Sequence, residues 1–484
     1  MRWKGREPFV SAASRIGREN SRVNNYVTAR KDMVRIGCGA SSWGDDVGEP
    51  RELLQRARLD YLIMDYLSEV TLSIMRRQMD RDPLKGYATD VVTVISDILP
   101  LLLSHGTKVV TNAGGLNPQG CAAAIAKVVA EAGLADKIRI AVVDGDDLMP
   151  RLTELATTVP FTNLDDGRAF PEISERVMSA NAYLGARPIR AALDLGANIV
   201  ITGRCVDVAM TLGPLLYEFN WHDDDWNRIG AGVVAGHLLE CGPQSTGGNH
   251  QGWKTVPGLE HVGYPIVEVS PDGAVVLTKA PGTGGIVNVM TATDQLLHEI
   301  FDPKAFLSPD VTVDWTSFTL HEQGNDRVLI NGVSGGPPPS TLKVSMTYRD
   351  GFRTVLMWPY AWPDAKLKAE TALRKIEHTV KRLGLRLDAT RADIFGMGAI
   401  HGRRLKAAGL ECPEPLEVFA RFAARGSHRQ DIQRLAAQQA PMHKGPPGLA
   451  GHLAGGRGDV APIYTHWPTI IPADLVASQI TMLH

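Results

Sequence analysis

The residues best suited to chemistry sit in two short stretches. "TGRCVD" (202–207) places Arg204, Cys205 and Asp207 in one bend directly after the apolar run "ANIVI". A carboxylate in such a bend, partly withdrawn from water, suits general-base work, and a neighbouring guanidinium suits an oxyanion. "ECGPQSTGGNHQGW" (240–253) has the densest polar content of the chain and holds Cys241, Gly247, Gly248, Asn249 and His250. Asp207 or His250 is expected to move a proton, and Asn249 with Arg204 to fix a substrate oxyanion. Cys241 with His250 as base would make a nucleophile pair, although a lone buried cysteine is more often inert packing.

Glycine-rich bends supply a different chemistry. "TNAGGLNPQG" (111–120) runs from the apolar "KVV" into the helical pattern "CAAAIAKVVAEAGL". Asn112, Gly114 and Gly115 there, and Gly282, Thr283, Gly284 and Gly285 in "APGTGGIVN", are expected to offer backbone N–H groups to a carboxylate or phosphate. A single Gly-Gly pair would be read as a tight turn. Four bends at one sheet edge, 37–46, 111–120, 144–147 and 202–207, point instead to a site.

Other constellations carry less. Asp144, Asp146 and Asp147 suit a helix cap better than Mg²⁺. "GCGASS" resembles a dinucleotide fingerprint with Ser in the third glycine position, and Asp60 or Asp65 would have to hold the ribose; the match is weak and no cofactor is expected. Ser334 in "GVSGG" meets a nucleophile-elbow pattern, but "PPPS" follows where a helix is required. The 14 histidines are scattered without a metal-binding spacing, so no metal site is expected.

Composition narrows the class. A chain of 484 residues with 44% apolar and 21% charged residues is ordinary for a globular protein of more than one core. Net charge is −2, which gives no global pull toward nucleic acid or anionic membrane. Five widely spaced cysteines, Cys38, Cys121, Cys205, Cys241 and Cys412, form no C-x-x-C pair, so a reduced, cytoplasmic protein is expected. No run of about 18 apolar residues predicts a membrane span. Residues 1–32 carry eight Lys/Arg against three acids and read as a basic flexible extension rather than a targeting peptide.

From residue 33 to 254, β-branched runs alternate with helical patterns in five strand–helix units. Strands without clean alternation imply a parallel sheet covered on both faces, hence a doubly wound α/β domain. After 254 the texture changes. "YPIVEVSPDGAVVLTK" reads as a hairpin, and two strand–loop–helix units follow, which predicts an α+β domain over 255–484 with an antiparallel sheet. Ser427 is the expected cap of the last helix.

"VRIGCGASSWGD", "LDYLIMDYLSEVT", "GTKVVTNAGGLNP", "GANIVITGRCVD", "ECGPQSTGGN" and "KAPGTGGIVNVMTATDQLLHEIFDP" resemble the AtuA family, named for acyclic terpene utilisation, from Met33 to about residue 475. The resemblance implies a role in breaking down citronellol- and geraniol-type acids as coenzyme A thioesters. It carries over no catalytic residues. Members are often fused to, or encoded beside, a small partner domain, so a separate small subunit is expected; a homo-oligomer is expected besides. The combined expectation is an enzyme of branched-chain or terpenoid acid catabolism, a hydratase or lyase taking a carboxylate or acyl-CoA substrate. The alternative is a non-catalytic subunit or scaffold acting with a small partner protein.

Overall fold

The computed structural model describes residues 31–410, 413–449, 451 and 458–483. Nearly all of the basic segment 1–32, Cys412 and much of the Gly/Pro-rich stretch 445–458 lie outside the described residues.

The chain begins with β1 (Val34–Ala40), α1 (Glu49–Arg56), β2 (Tyr61–Met64), α2 (Thr71–Met79), α3 (Asp90–His105), β3 (Lys108–Thr111), α4 (Pro118–Glu131) and β4 (Ile140–Asp144). It continues through α5 (Leu152–Leu155), β5 (Val177–Ala182), α6 (Arg187–Asp194), β6 (Ile199–Thr202), α7 (Ala209–Phe219) and α8 (Trp226–Glu240). The five runs read as strands from the sequence are β1, β2, β3, β4 and β6. They lie parallel, in the order β1-β2-β3-β6-β4.

Side chains alternating along these strands feed two cores. Tyr61 and Ile63 pack with Ile189, Leu212 and Val233 of α6, α7 and α8. Leu62 and Met64 pack with Leu54, Ile95 and Ile125 of α1, α3 and α4. Each fully buried Leu or Ile contributes roughly 1.5–3 kcal/mol. In α3 the buried positions 91, 94, 95, 98, 99 and 102 follow the three-and-four spacing of one helix face, and Gly106 ends the helix in the left-handed conformation, φ 71°.

The chain then forms β7 (Pro265–Val269), β8 (Val275–Lys279), α9 (Val289–Leu296), β9 (Phe306–Ser308), β10 (Val311–Asp314), β11 (Thr319–Glu322), β12 (Val328–Asn331) and β13 (Ser334–Gly336). The last elements are β14 (Thr341–Ala361), α10 (Ala365–Arg382), β15 (Ala389–Phe395), α11 (Arg403–Ala407), β16 (Glu417–Gly426), α12 (Arg429–Ala436), β17 (Ala461–Pro472) and β18 (Gln479–Leu483). The β7–β8 hairpin turns at Pro271-Asp272-Gly273 as the sequence predicts, with Gly273 at φ 91°. Both expected strand–loop–helix units are present, as the second half of β14 with α10 and as β16 with α12. Ser427 does not cap α12. That helix starts at Arg429, and the Ser427 hydroxyl donates to Asp388 at 2.9 Å.

The sheets do not divide the chain at residue 254. The parallel strands belong to a ten-stranded mixed sheet, β11-β12-β8-β7-β1-β2-β3-β6-β4-β18, so later segments extend both of its edges. β5 leaves that half of the sequence to pair with β14, in the antiparallel sheet β15-β16-β14-β17. β9, β10 and β13 form a third, small sheet. The result is a mixed α/β fold in which pairing partners cross the expected boundary both ways. Residues 180–186 also depart from expectation. The sequence "ANAYLGARPIRAALDLG" (180–196) reads as one helix, but the helix starts only at Arg187, and Ala180 and Ala182 sit in register with Met346 and Val344 of β14. Strand pairing overrides local propensity there.

Candidate functional site

The parallel strands all point their carboxyl ends at one edge, and the first polar residues after them meet there. Asp65 follows β2, Asn112 follows β3, Asp146 lies two residues past β4, and Arg204 two past β6. All four are buried. The Asn112 amide donates to Asp65 at 2.7 Å and its oxygen accepts the Tyr66 N–H at 2.7 Å. Asp146 accepts the Arg204 backbone N–H at 2.8 Å and the Asn181 amide at 2.7 Å. A buried polar group without such partners would cost several kcal/mol, so these bonds fix the edge.

Arg204 is the centre of the arrangement. Its side chain is 1% exposed, that of Asp207 32%, and the two are joined at 2.9 Å. The guanidinium also donates to the Leu67 carbonyl at 2.7 Å and lies over the Tyr183 ring, 4.1 Å from its centroid. Its Nε makes no hydrogen bond, and neither does the Asn181 carbonyl oxygen. The second sheet closes one side. The Tyr183 hydroxyl donates to Glu69 at 3.2 Å, and Lys343 of β14 stands 3.4 Å from the same carboxylate. Glu69 and Lys343 remain solvent-facing, so the mouth of the site lies at Asp207, Glu69 and Lys343.

Acids outnumber cations here, and burial amplifies the imbalance. Burial raises Asp65 to about 6, against the pull of Arg204 and Asn112. Asp146 is raised to about 7, chiefly by burial and further by Asp147. Asp207 is pushed well up by burial and by Asp65, Glu240 and Glu69, which together outweigh Arg204. Burial favours a neutral Arg204, but Asp207, Tyr183 and Asp65 more than reverse this and keep it cationic. Burial would raise Glu69 too; its own backbone N–H, Lys343 and Arg204 hold it instead at about 2. The edge therefore combines a buried cation with a partly accessible carboxyl, Asp207, that burial and neighbouring acids hold toward its protonated form.

The glycine-rich bends occupy the same edge but face the chain. A Cβ on Gly114 would stand 2.5 Å from the Thr202 carbonyl oxygen, and one on Gly284 2.0 Å from that of Gly258. The missing side chains thus make room for backbone. The amide of Gly284 donates to His261 O at 2.8 Å, that of Gly285 to Pro257 O at 2.7 Å, and that of Gly248 to Pro243 O at 2.8 Å. Gly247 donates to Gln244 O, the Thr283 hydroxyl to Ala280 O, and the Gly282 carbonyl accepts Arg56. Gly115 donates to Asn112 O, while the start of α4 is capped by the Asn117 side chain, which accepts the Gly120 N–H. These groups are engaged within the protein.

Of the four residues expected to catalyse, Arg204 and Asp207 are brought together. No hydrogen bond or ion pair joins His250 or Asn249 to them among the described residues. His250 pairs with Asp294 of α9, and Asn249 is an exposed turn residue at φ 58°. Burial raises Cys241 and Cys205 to about 12, which keeps both as unreactive thiols. Sequence reasoning passed over Glu69, Asn181, Tyr183 and Lys343 as site residues. Asp65 carried a usable signal, being the first polar residue after a wholly apolar strand, as Asn112 is after β3. Lys343 carried none, because only the β5–β14 pairing brings it near.

Among the described residues no helix is long and apolar enough to cross a membrane, and no group of three or more His, Cys, Asp or Glu is placed to hold a metal. A comparison with curated proteins gives no match. Over residues 34–482 the sequence matches the family described as acyclic terpene utilisation family protein AtuA. With that match running through every strand of the large sheet and through the Arg204–Asp207 bend, the chain belongs to the AtuA family.

Proposed function

We propose that the chain is an enzyme of branched-chain or terpenoid acid catabolism, a hydratase or lyase acting on a carboxylate or its coenzyme A thioester, with Asp207 as the proton-transfer group. The family description supports the terpenoid substrate class. The observation that carries the reading is the Asp207 carboxyl, about a third exposed at 32%, over fully buried Arg204, held high by burial and neighbouring acids. In the hydration direction, the protonated Asp207 carboxyl gives its proton to the α-carbon of an unsaturated substrate as the water oxygen bonds to the β-carbon. The carboxylate so formed takes the proton that the added water releases, and charge developing on the carbonyl oxygen lies toward Lys343 at the mouth.

The test is incubation of the purified chain with citronellol- and geraniol-type acyl-CoA thioesters, and with the free acids, followed by mass spectrometry for gain or loss of water. The reading predicts turnover by the chain alone. Turnover that begins only when a small co-encoded protein is added would move the catalytic role to that complex and favour the subunit reading.

A further inference from the structure

The face of the second sheet turned away from α10 and α12 is open, and it forms one wall of a cavity of about 660 Å³ whose other wall is α2. Alternation along the strands decides its chemistry. Leu356, Trp358 and Phe422 point into the core under α10. The intervening positions put Arg353 opposite Arg425 in the β14–β16 register, and Arg391 and Arg421 on the neighbouring positions of the same face. With Arg77 of α2, five arginines line the cavity, and no Asp or Glu lines it. Asp393 holds Arg391 and Arg421 at 2.9 and 2.7 Å, and Asp350 holds Arg425 at 3.0 Å, which orients three guanidinium forks. Arg77 and Arg353 make no ion pair among the described residues, so the cavity keeps an excess of positive charge. Val70, Ile74 and Tyr464 supply an apolar wall beside them.

We propose that this groove binds an organic phosphate, its phosphate oxygens held by the arginine forks and its apolar body lying against Val70, Ile74 and Tyr464. Each planar guanidinium can donate to two oxygens of one phosphate at once, so a phosphate group is favoured over an anion that offers a single acceptor. The volume falls within the ~300–1,000 Å³ of small-molecule sites and is too large for an inorganic anion alone. The cavity shares no lining residue with the Arg204–Asp207 edge, although Val70 directly follows Glu69 of its mouth, and the proposal does not depend on the reaction proposed there.

The experiment is calorimetric titration of the full chain with ADP as the probe, with inorganic pyrophosphate in parallel, at low and moderate salt. The expected result is saturable ADP binding that weakens with salt, is tighter than pyrophosphate, and falls about tenfold in Arg353→Gln and in Arg77→Gln, the value of one charge-assisted hydrogen bond. Arg353 is exposed, so its variant should melt like the parent, which a thermal scan checks. No saturable ADP binding, or binding unchanged in both variants, would overturn the proposal. Equal affinity for ADP and pyrophosphate would overturn the organic part of it.

Discussion

The ends of β2, β3, β4 and β6 and the glycine-rich bends between residues 242 and 286 share one edge of the large sheet, yet they solve opposite problems. In the first region, charged and amide side chains are buried with partners that leave some atoms unmatched, Arg204 Nε and Asn181 Oδ1 among them. In the second, backbone segments approach so closely that a Cβ on Gly284 would collide with Gly258, and the amides find carbonyls. Glycine frequency marks where chain meets chain; buried and incompletely matched charge marks where chemistry can be done.

Breaking the charged region should have the larger effect. Arg204→Met removes the one buried cation among Asp65, Asp146 and Asp207, and is expected to destabilise the fold by about 3–5 kcal/mol, measured by denaturant melting. A loss under about 1 kcal/mol would mean that the acids are already neutral without it. Next come the glycines. Gly284→Ala should cost about 1–3 kcal/mol through overpacking while leaving KM of the folded fraction unchanged. A raised KM with unchanged stability would show that the bend touches substrate after all.

A pH experiment sharpens the contrast further. Asp146 titrates near 7 when folded, against 3.8 as its ordinary value, so the folded state binds its proton more tightly. Its contribution therefore falls as pH rises from about 4 to 7 and is level above that. Asp146→Asn keeps an acceptor for Arg204 N–H and Asn181, and should gain stability over the parent at pH 8 relative to pH 5 by about 1.4 kcal/mol or more, one pKa unit's worth. Parallel pH–stability curves would contradict the raised titration. The smallest effect is expected at the thiols. With Cys205 and Cys241 near 12, iodoacetamide at neutral pH should label neither in the folded chain, and Cys241→Ala should leave turnover within about twofold, since a thiol so held is not a nucleophile.

How much was readable in advance follows the same division. The five parallel strands, the β7–β8 hairpin and the two strand–helix units are local patterns of apolar spacing and turn residues, and each was visible in its own stretch. Arg204 and Asp207 were visible because they share one bend after a buried strand. The assembly of the site was not. Tyr183 and Lys343 come from β5–β14 pairing between segments some 160 positions apart in register, and residues 180–182 carry alanines that speak for helix. His250 was plausible by type, but its partner, Asp294, lies on a helix 44 residues away. The glycines were located correctly and their purpose was hidden, because a Cβ-free position serves a ligand and a crossing backbone equally well in one dimension.

The account rests on Asp207 as the group that moves the proton, and the turnover number of Asp207→Asn tests it most directly. The substitution keeps the side chain's shape and its place beside Arg204 while removing the titrating oxygen. The prediction is a fall in kcat of at least about 10²-fold, with KM little changed and the melting curve intact. A kcat within about twofold of the parent would place the chemistry elsewhere in the molecule.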